Sequence, residues 1–326
     1  MLPSSLDPEI AAILAQLPSP PKGSMTIEER RAGFAMAVAG MQKGMESLLP
    51  NESEYTVEDH AVSVEGGEIR VRSVVPKGGE DLPLLVWFHG GGWALGDLDM
   101  DDYYLKILSV NVNISILNVE YRLTPEFTFP TNLNDAYAGL KWAAENAKKL
   151  SASLSKGFMV GGASAGGNFA AVVSLLARDD LFFKDRPLTG QLLIVPITVH
   201  VDANVDQYRS ELLSMEENKD APFLDADTVR YFEEILQVSP EDPRISVLLA
   251  KSHANLPPAY VQVSGLDPLR DEGILYEKVL RNAGVKTQIH VYPELPHGGH
   301  AFFPTTKNSI KFNADTEDGI RWLLSL

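Results

Sequence analysis

Six short apolar runs, at residues 82–88, 114–119, 157–161, 191–195, 259–263 and 288–292, recur along the chain with segments of helical periodicity between them. This recurrence restricts the fold more than any other feature. Runs of that length are too short for buried helices and read as strands covered on both faces. The pieces between them, such as residues 132–150, 168–178 and 274–283, with a last one around 320–324, carry apolar residues at helical spacing. Strand, helix and strand in repetition predict an α/β fold whose sheet is mostly parallel. Upstream, residues 60–75 ("HAVSVEGGEIRVRSVV") alternate with period two on either side of Gly66-Gly67, a hairpin signal. Hairpin and runs together predict eight strands flanked by helices, with an antiparallel edge.

Two parts break the alternation. Residues 1–50 are helical in pattern, and "RRAGFAMAVAGMQKGMESLL" is rich in methionine and small residues. In residues 196–248, "DADTVRYFEEIL" places Val229, Phe232, Ile235 and Leu236 on one helical face. Ordinary packing explains such a face; the sharper reading joins both parts into a cap over the carboxyl edge of the sheet, with methionines as an adaptable apolar wall. The expected division is N-terminal cap helices over 1–50, a core over 51–195 and 249–326, and a second cap segment over 196–248. At 326 residues and 44% hydrophobic, the chain has enough apolar material for one such core with a lid.

Composition narrows the partners. With 28 basic and 44 acidic residues the formal charge is -16, which repels nucleic acid and anionic membrane surfaces. Cysteine is absent, so disulfides, thiolate catalysis and cysteine metal sites are excluded. The N-terminal stretch "MLPSSLDPEIAAILAQLPSP" has no basic leader, and prolines interrupt its apolar run. The expectation is a cytoplasmic protein that acts on a small molecule without nucleic acid or membrane, with a homodimer left open.

Gly162-Ala163-Ser164-Ala165-Gly166 fits G-x-S-x-G between a strand-like and a helix-like run, the context of a nucleophile elbow. Neighbouring segments approach closely at such a turn, which is the use for glycines on both flanks. A phosphate-binding turn is the competing reading, but neither G-x-G-x-x-G nor a P-loop lysine is present there. A hydroxyl needs a base. His60 and His290 lie in strand patterns and His200 and His253 in or near the cap segment, whereas His297 follows the last strand in "ELPHGGHAFF", with His300 as its rival. Asp267, just past the preceding strand, suits the acid that orients an imidazole; Asp271 competes, although it reads better as the acidic first turn of a helix. Finally, "HGGGW" (His89 to Trp93) follows an early core strand, where glycines let backbone N–H groups turn toward an oxyanion together with that of Ala165.

These motifs carry a family resemblance. With "HGGGW", "YRLTPEFTFP", "GASAGGN", "DPRIS", "LPPAYVQVSGLDPLRDEG" and "LPHGGHAFF" in order, the chain from about residue 60 onward resembles the hormone-sensitive-lipase-like carboxylesterases of the α/β-hydrolase fold. The resemblance implies Ser164 as nucleophile, His297 as base, Asp267 as acid, and Gly91, Gly92 and Ala165 as oxyanion donors. It also implies that the two helical parts form the cap. The chain departs from the family pattern at Ala163, where Asp is frequent, at Gly299, where an aromatic is usual, and at Val247, where proline is usual.

The expected chemistry is hydrolysis of short- to medium-chain acyl esters through a serine acyl-enzyme, with neither metal nor organic cofactor. Because the imidazole must be neutral to accept a proton, activity should rise from acid toward neutral pH. Trp93, Phe34, Met36, Met215 and Phe223 are the candidate pocket walls, as aromatic and thioether side chains beside the motifs suit an apolar acyl group. Three other readings stand beside this one: an acyltransferase or cyclase of secondary metabolism with the same triad, a non-catalytic small-molecule receptor on the same scaffold, and a dinucleotide-binding oxidoreductase, which lacks its glycine fingerprint.

Overall fold

The computed structural model describes residues 6–16 and 25–326, so residues 1–5 and 17–24 of the expected N-terminal cap lie outside the described residues. One eight-stranded sheet runs in the order β1-β2-β4-β3-β5-β6-β7-β8. Its strands are β1 (Tyr55–Val64), β2 (Gly67–Pro76), β3 (Leu84–Phe88), β4 (Ser115–Val119), β5 (Phe158–Ala163), β6 (Gly190–Ile194), β7 (Ala259–Leu266) and β8 (Thr287–Pro296). β1 and β2 form the antiparallel edge, β2 is also antiparallel to β4, and every pairing from β4 to β8 is parallel. This is the sheet that the spacing predicts.

The continuous apolar runs are explained by burial on both faces. Leu84, Val86 and Phe88 of β3 belong to one core cluster, and Leu85 and Trp87, pointing the other way, belong to a second. Helices α1 (Pro8–Leu14), α2 (Ile27–Met45), α3 (Asp102–Val112), α4 (Thr131–Glu145), α5 (Ala165–Asp179), α6 (Ser214–Glu217), α7 (Ala226–Leu236), α8 (Arg270–Asn282), α9 (Gly299–Phe302) and α10 (Lys307–Leu324) complete the described chain. Residues of α4, α5 and α8 feed the first cluster, and those of α3 and α10 the second.

Helix α3 has no counterpart in the sequence reading. Its tyrosines, Ile107 and β-branched valines are poor helix formers that blur the period, yet Leu105, Leu108 and Ser109 form its buried face. Helix α10 likewise begins well before residue 320, because its first turns are polar outside Ile310 and Phe312.

The two helices of the N-terminal part behave differently from one another. α1 packs on the core: Ile10 is buried in the second cluster, and Asp7 N–H donates to the Glu294 carbonyl of β8 at 3.0 Å. α2 instead meets the 196–248 segment. Ile27 and Phe34 of α2 and Tyr231, Phe232 and Ile235 of α7 gather around Ala94 and Leu95, in the loop after β3. The Arg30 guanidinium lies 4.3 Å from the centre of the Tyr231 ring, a cation–π contact between the two parts.

Candidate active site

β5 brings Ser164 to the carboxyl edge of the sheet, and α5 begins at the next residue. Ser164 has φ 57° and ψ −119°, a conformation that a non-glycine residue holds only under constraint. The constraint is visible: its N–H donates to the Ile194 carbonyl (2.9 Å), and its own carbonyl accepts the N–H of Asn168 (2.9 Å). The Asn168 side chain in turn donates to the carbonyls of Ile197 (2.9 Å) and Ile245 (2.7 Å). A Cβ on Gly166 would fall 1.9 Å from the Phe88 carbonyl oxygen, and one on Gly162 would fall 2.4 Å from the Gly166 carbonyl carbon. The glycines are therefore demanded by β3, β5 and α5 crossing at one point.

The loop after β3 runs past this turn. A Cβ on Gly90 would lie 3.6 Å from that of Ser164, so the two backbones are in van der Waals reach. Gly91 (φ 105°), Gly92 (φ 59°) and Trp93 (φ 59°) take positive φ in succession. The turn is closed by N–H groups of Ala94 (3.1 Å) and Leu95 (2.9 Å) donating to the Gly91 carbonyl. Among the described residues, the N–H groups of Gly91, Gly92 and Ala165 donate to no protein acceptor. Ala165 opens α5, so its N–H belongs to the unpaired, partially positive helix terminus. From beneath, the Tyr121 ring stacks on His89 (4.3 Å, 12°), and its hydroxyl donates to the His89 carbonyl (2.8 Å). Burial holds the His89 imidazole below its ordinary pKa, so it acts here as a neutral support.

Asp267 and His297 meet across the ends of β7 and β8. The carboxylate is buried; Oδ1 accepts the Leu269 N–H (2.9 Å), and Oδ2 accepts a hydrogen bond from His297 Nδ1 (2.7 Å). Nδ1 thereby carries the proton and Nε2 is left as the acceptor. No hydrogen bond joins Ser164 Oγ to His297 Nε2 in this structure, and neither atom has another partner among the described residues. Such bonds commonly tighten only with substrate in place.

The two rivals sit elsewhere. His300 is buried flat against Phe312 (4.0 Å, 9°), and burial pushes its pKa down to about 3. Asp271 lies in the first turn of α8 and accepts the N–H groups of Leu213 and Ser214 (both 2.8 Å), mooring the segment ahead of α6. Two further buried acids were not singled out from the sequence. Glu272 accepts the N–H groups of Thr198 (2.6 Å) and Val199 (2.8 Å), and Glu233 of α7 accepts that of Val201 (3.1 Å). Burial pushes Glu272 above the ordinary carboxylate range and Glu233 up to about 8.

The expected pocket walls divide. Phe34 stands edge-on to Phe302 of α9 (6.3 Å, 87°), and Phe223 stacks on the same ring (5.3 Å, 22°). A Cβ on Gly298 would come within 2.9 Å of Phe302, which puts this aromatic group beside the His297 loop. Met215 packs, half-buried, against the main core cluster. Trp93 is a correction: its positive φ turns the indole into the core, where it is fully enclosed and offers a ligand no surface. Met36 is another. It is 77% exposed, because α2 turns inward along Phe34, Val38, Met41 and Met45 and Met36 falls on the opposite face. The wall residue missed is Phe232, whose ring would be 2.4 Å from a Cβ on Gly92. Its helical face is the signal in the sequence.

The known proteins that this chain resembles agree with the geometry. A family described as "alpha/beta hydrolase fold" matches residues 85–301. The versiconal hemiacetal acetate esterase of Dothistroma septosporum is 35% identical over 88% of this chain and 87% of its own length. A carboxylesterase of Mycobacterium tuberculosis, NlhH, is 34% identical over 90% of this chain and 88% of its own. Among solved structures, vibralactone cyclase superposes with a TM-score of 0.95 at 42% identity, over 100% of this chain and 97% of that one. The chain belongs to the α/β-hydrolase family, among the hormone-sensitive-lipase-like carboxylesterases, and is a carboxylic-ester hydrolase. No described helix is long and apolar enough to cross a membrane.

Proposed function

We propose that Ser164 attacks the carbonyl of a short- to medium-chain acyl ester while His297 Nε2 takes its proton. In this reading Asp267 holds the imidazole in the Nδ1–H tautomer and stabilises its cation. The oxyanion is received by the N–H groups of Gly91, Gly92 and Ala165, each worth about 3 kcal/mol in the transition state. The imidazolium then returns its proton to the leaving alcohol. Water, activated by the same nitrogen, releases the acid and restores the serine. The observation that carries the reading is the set of three unpaired amide groups around the strained Ser164 turn.

The α2 and 196–248 parts are proposed as a cap that limits the acyl group. Phe232 against Gly92 and the Phe34–Phe302–Phe223 group set aromatic rings on this side of the site, which in this reading favours short chains over long lipid. The acetate ester in the name of the Dothistroma relative fits such a limit. The partner is then a small-molecule ester, met in the cytoplasm by a monomer or a homodimer.

A panel of p-nitrophenyl esters with acyl chains from about C2 to C12, run on the wild type and Ser164→Ala, tests this. Activity should peak at the short end and drop by on the order of 10⁴-fold or more in Ser164→Ala; equal rates in both proteins would remove Ser164 from the reaction. A second reading is supported by the likeness to vibralactone cyclase over the whole chain: the acyl-enzyme is captured by a nucleophile of the same substrate instead of water. The triad is common to both, and water access decides between them.

A further inference from the structure

One side chain of α2 reaches into the loop that carries the unpaired amide groups. Arg31 Nε donates to the Ala94 carbonyl (3.0 Å) and Nη2 to the Thr124 carbonyl (2.9 Å). Nη1 and Nη2 also donate to the two carboxylate oxygens of Glu126 (2.7 Å each). The two loops are already joined, since the Trp93 carbonyl accepts the N–H (3.0 Å) and the hydroxyl (3.3 Å) of Thr124. The guanidinium therefore closes a unit made of residues 91–95 and 124–126, and it does so from a different part of the chain.

The ion pair alone does not explain this arrangement. The Glu126 side chain is 51% exposed, and a pair of that kind contributes little to stability. The informative partners are the two carbonyls. Ala94 and Thr124 are fully buried, so their oxygens have no ready water to replace the arginine. The Ala94 carbonyl shares a peptide with the Leu95 N–H, which donates to the Gly91 carbonyl, and that carbonyl shares a peptide with the Gly92 N–H, so the orientation of the Ala94 peptide bears directly on the Gly92 donor and, through the same turn, on its neighbour Gly91.

We propose that Arg31 is a positioning residue for the oxyanion donors: it holds the Ala94 carbonyl so that the Gly91 and Gly92 N–H groups stay aimed beside Ser164, and seating α2 and readying the site become one event. This rests on Gly91 and Gly92 acting as donors. Without the guanidinium, two buried carbonyls lose their donor, the loop shifts to reach water, and the amide groups shift with it. A displacement of about 1 Å costs on the order of 100-fold in rate. Lysine is a poor substitute because an ammonium lacks the planar fork that serves three acceptors together.

The test is steady-state kinetics of Arg31→Gln, Arg31→Lys and Glu126→Gln on p-nitrophenyl butyrate, with inhibition by butaneboronic acid, which becomes tetrahedral and anionic on the serine. For Arg31→Gln, kcat should fall by about 10- to 100-fold with KM changed less than about threefold. Boronate affinity should fall in parallel with kcat/KM, while affinity for butanol stays near that of the wild type. Arg31→Lys should recover part of the loss, and Glu126→Gln should cost only a few-fold because both carbonyl contacts remain. The Glu126 carboxyl is held down to about 2 by the Arg31 guanidinium; in Arg31→Gln it returns toward the ordinary carboxylate range, still well below neutral pH, so the pH–rate profile near neutrality should keep its shape and lose only height. Wild-type kcat and boronate affinity in Arg31→Gln, or a rise in KM alone, would overturn the proposal and leave Arg31 as a tether. Should Arg31→Gln fail to fold, Arg31→Lys decides: wild-type kcat in that variant is the overturning result. Ser164→Ala is assayed alongside, since activity there sinks the serine mechanism itself, whereas an inert Ser164→Ala with an unimpaired Arg31→Gln sinks only this inference.

Discussion

The rim of the sheet and the helices above it are built on opposite principles. At the rim, backbone meets backbone: Gly162 and Gly166 leave no room for a side chain and Gly90 little, Ser164 is pinned through its own peptide, and the Asp267–His297 pair sits at the ends of two adjacent strands. Above it, α2 and α7 meet the rim through side chains, with Phe232 on Gly92, Phe34 on Phe302 and Arg31 on two carbonyls. The first arrangement is fixed by backbone packing, whereas in the second the aromatic contacts can vary while Arg31 cannot. In the proposed reading the chemistry rests on the first and the limit on the acyl group on the second.

The largest effect that could break this contrast concerns the two histidines. His297→Ala should lower kcat/KM by on the order of 10³-fold or more with little change in melting temperature. His300→Ala should do the reverse, removing the ring stacked on Phe312 at about 1–3 kcal/mol of stability while leaving kcat within several-fold. A dead His300→Ala beside an active His297→Ala would reverse the assignment. Kinetics and thermal melts on the same preparations separate the two.

A smaller effect is expected above the rim. Phe232→Ala opens space over Gly92, so the preference among p-nitrophenyl esters should move toward longer chains, with a few-fold gain for C8 or C10 and a few-fold loss for acetate. An unchanged chain-length profile would show that α7 does not bound the acyl group.

The smallest is a pH effect on stability at Glu233. Its folded pKa is raised from 4.5 to about 8 by burial, so between those values the unfolded chain ionises while the folded chain keeps the proton. Stability contributed at this site is intact below about pH 4.5 and declines as pH rises toward 8. Glu233→Gln should remove the decline and gain on the order of 1–3 kcal/mol relative to wild type at pH 8 over pH 4. Parallel denaturant melts at the two pH values check it; identical differences at both would show that Glu233 does not titrate there.

The same contrast decides what could be read from the sequence. Glycines at 162, 166 and 90–92 are dictated by close approach and positive φ, so they carry their meaning in their identity. The inner strands β3 to β7 were legible for a similar reason, because burial on both faces leaves mostly apolar or small residues, whereas β1 and β2 were legible from their alternation around Gly66-Gly67. Met36 was misread because it was taken for its residue type beside the motifs, whereas the spacing of Phe34, Val38, Met41 and Met45 marks the inner face of α2 and leaves Met36 on the other side. Trp93 was misread because the positive φ that redirects its ring belongs to a glycine run whose turn is not legible residue by residue. Phe232 was placed on the correct helical face, but which surface that face meets depends on a contact between distant parts of the chain.

The excursion that contains α6 and α7 departs after β6 and rejoins at β7, two strands hydrogen-bonded side by side. Exit and re-entry are thus adjacent, and an insert of another length or sequence could be exchanged there without altering the register of a single ladder. A protein built in this way could acquire new substrates by replacing one contiguous stretch of its gene, and a laboratory graft between β6 and β7 that keeps the Ile197 and Ile245 anchors of Asn168 could follow the same route.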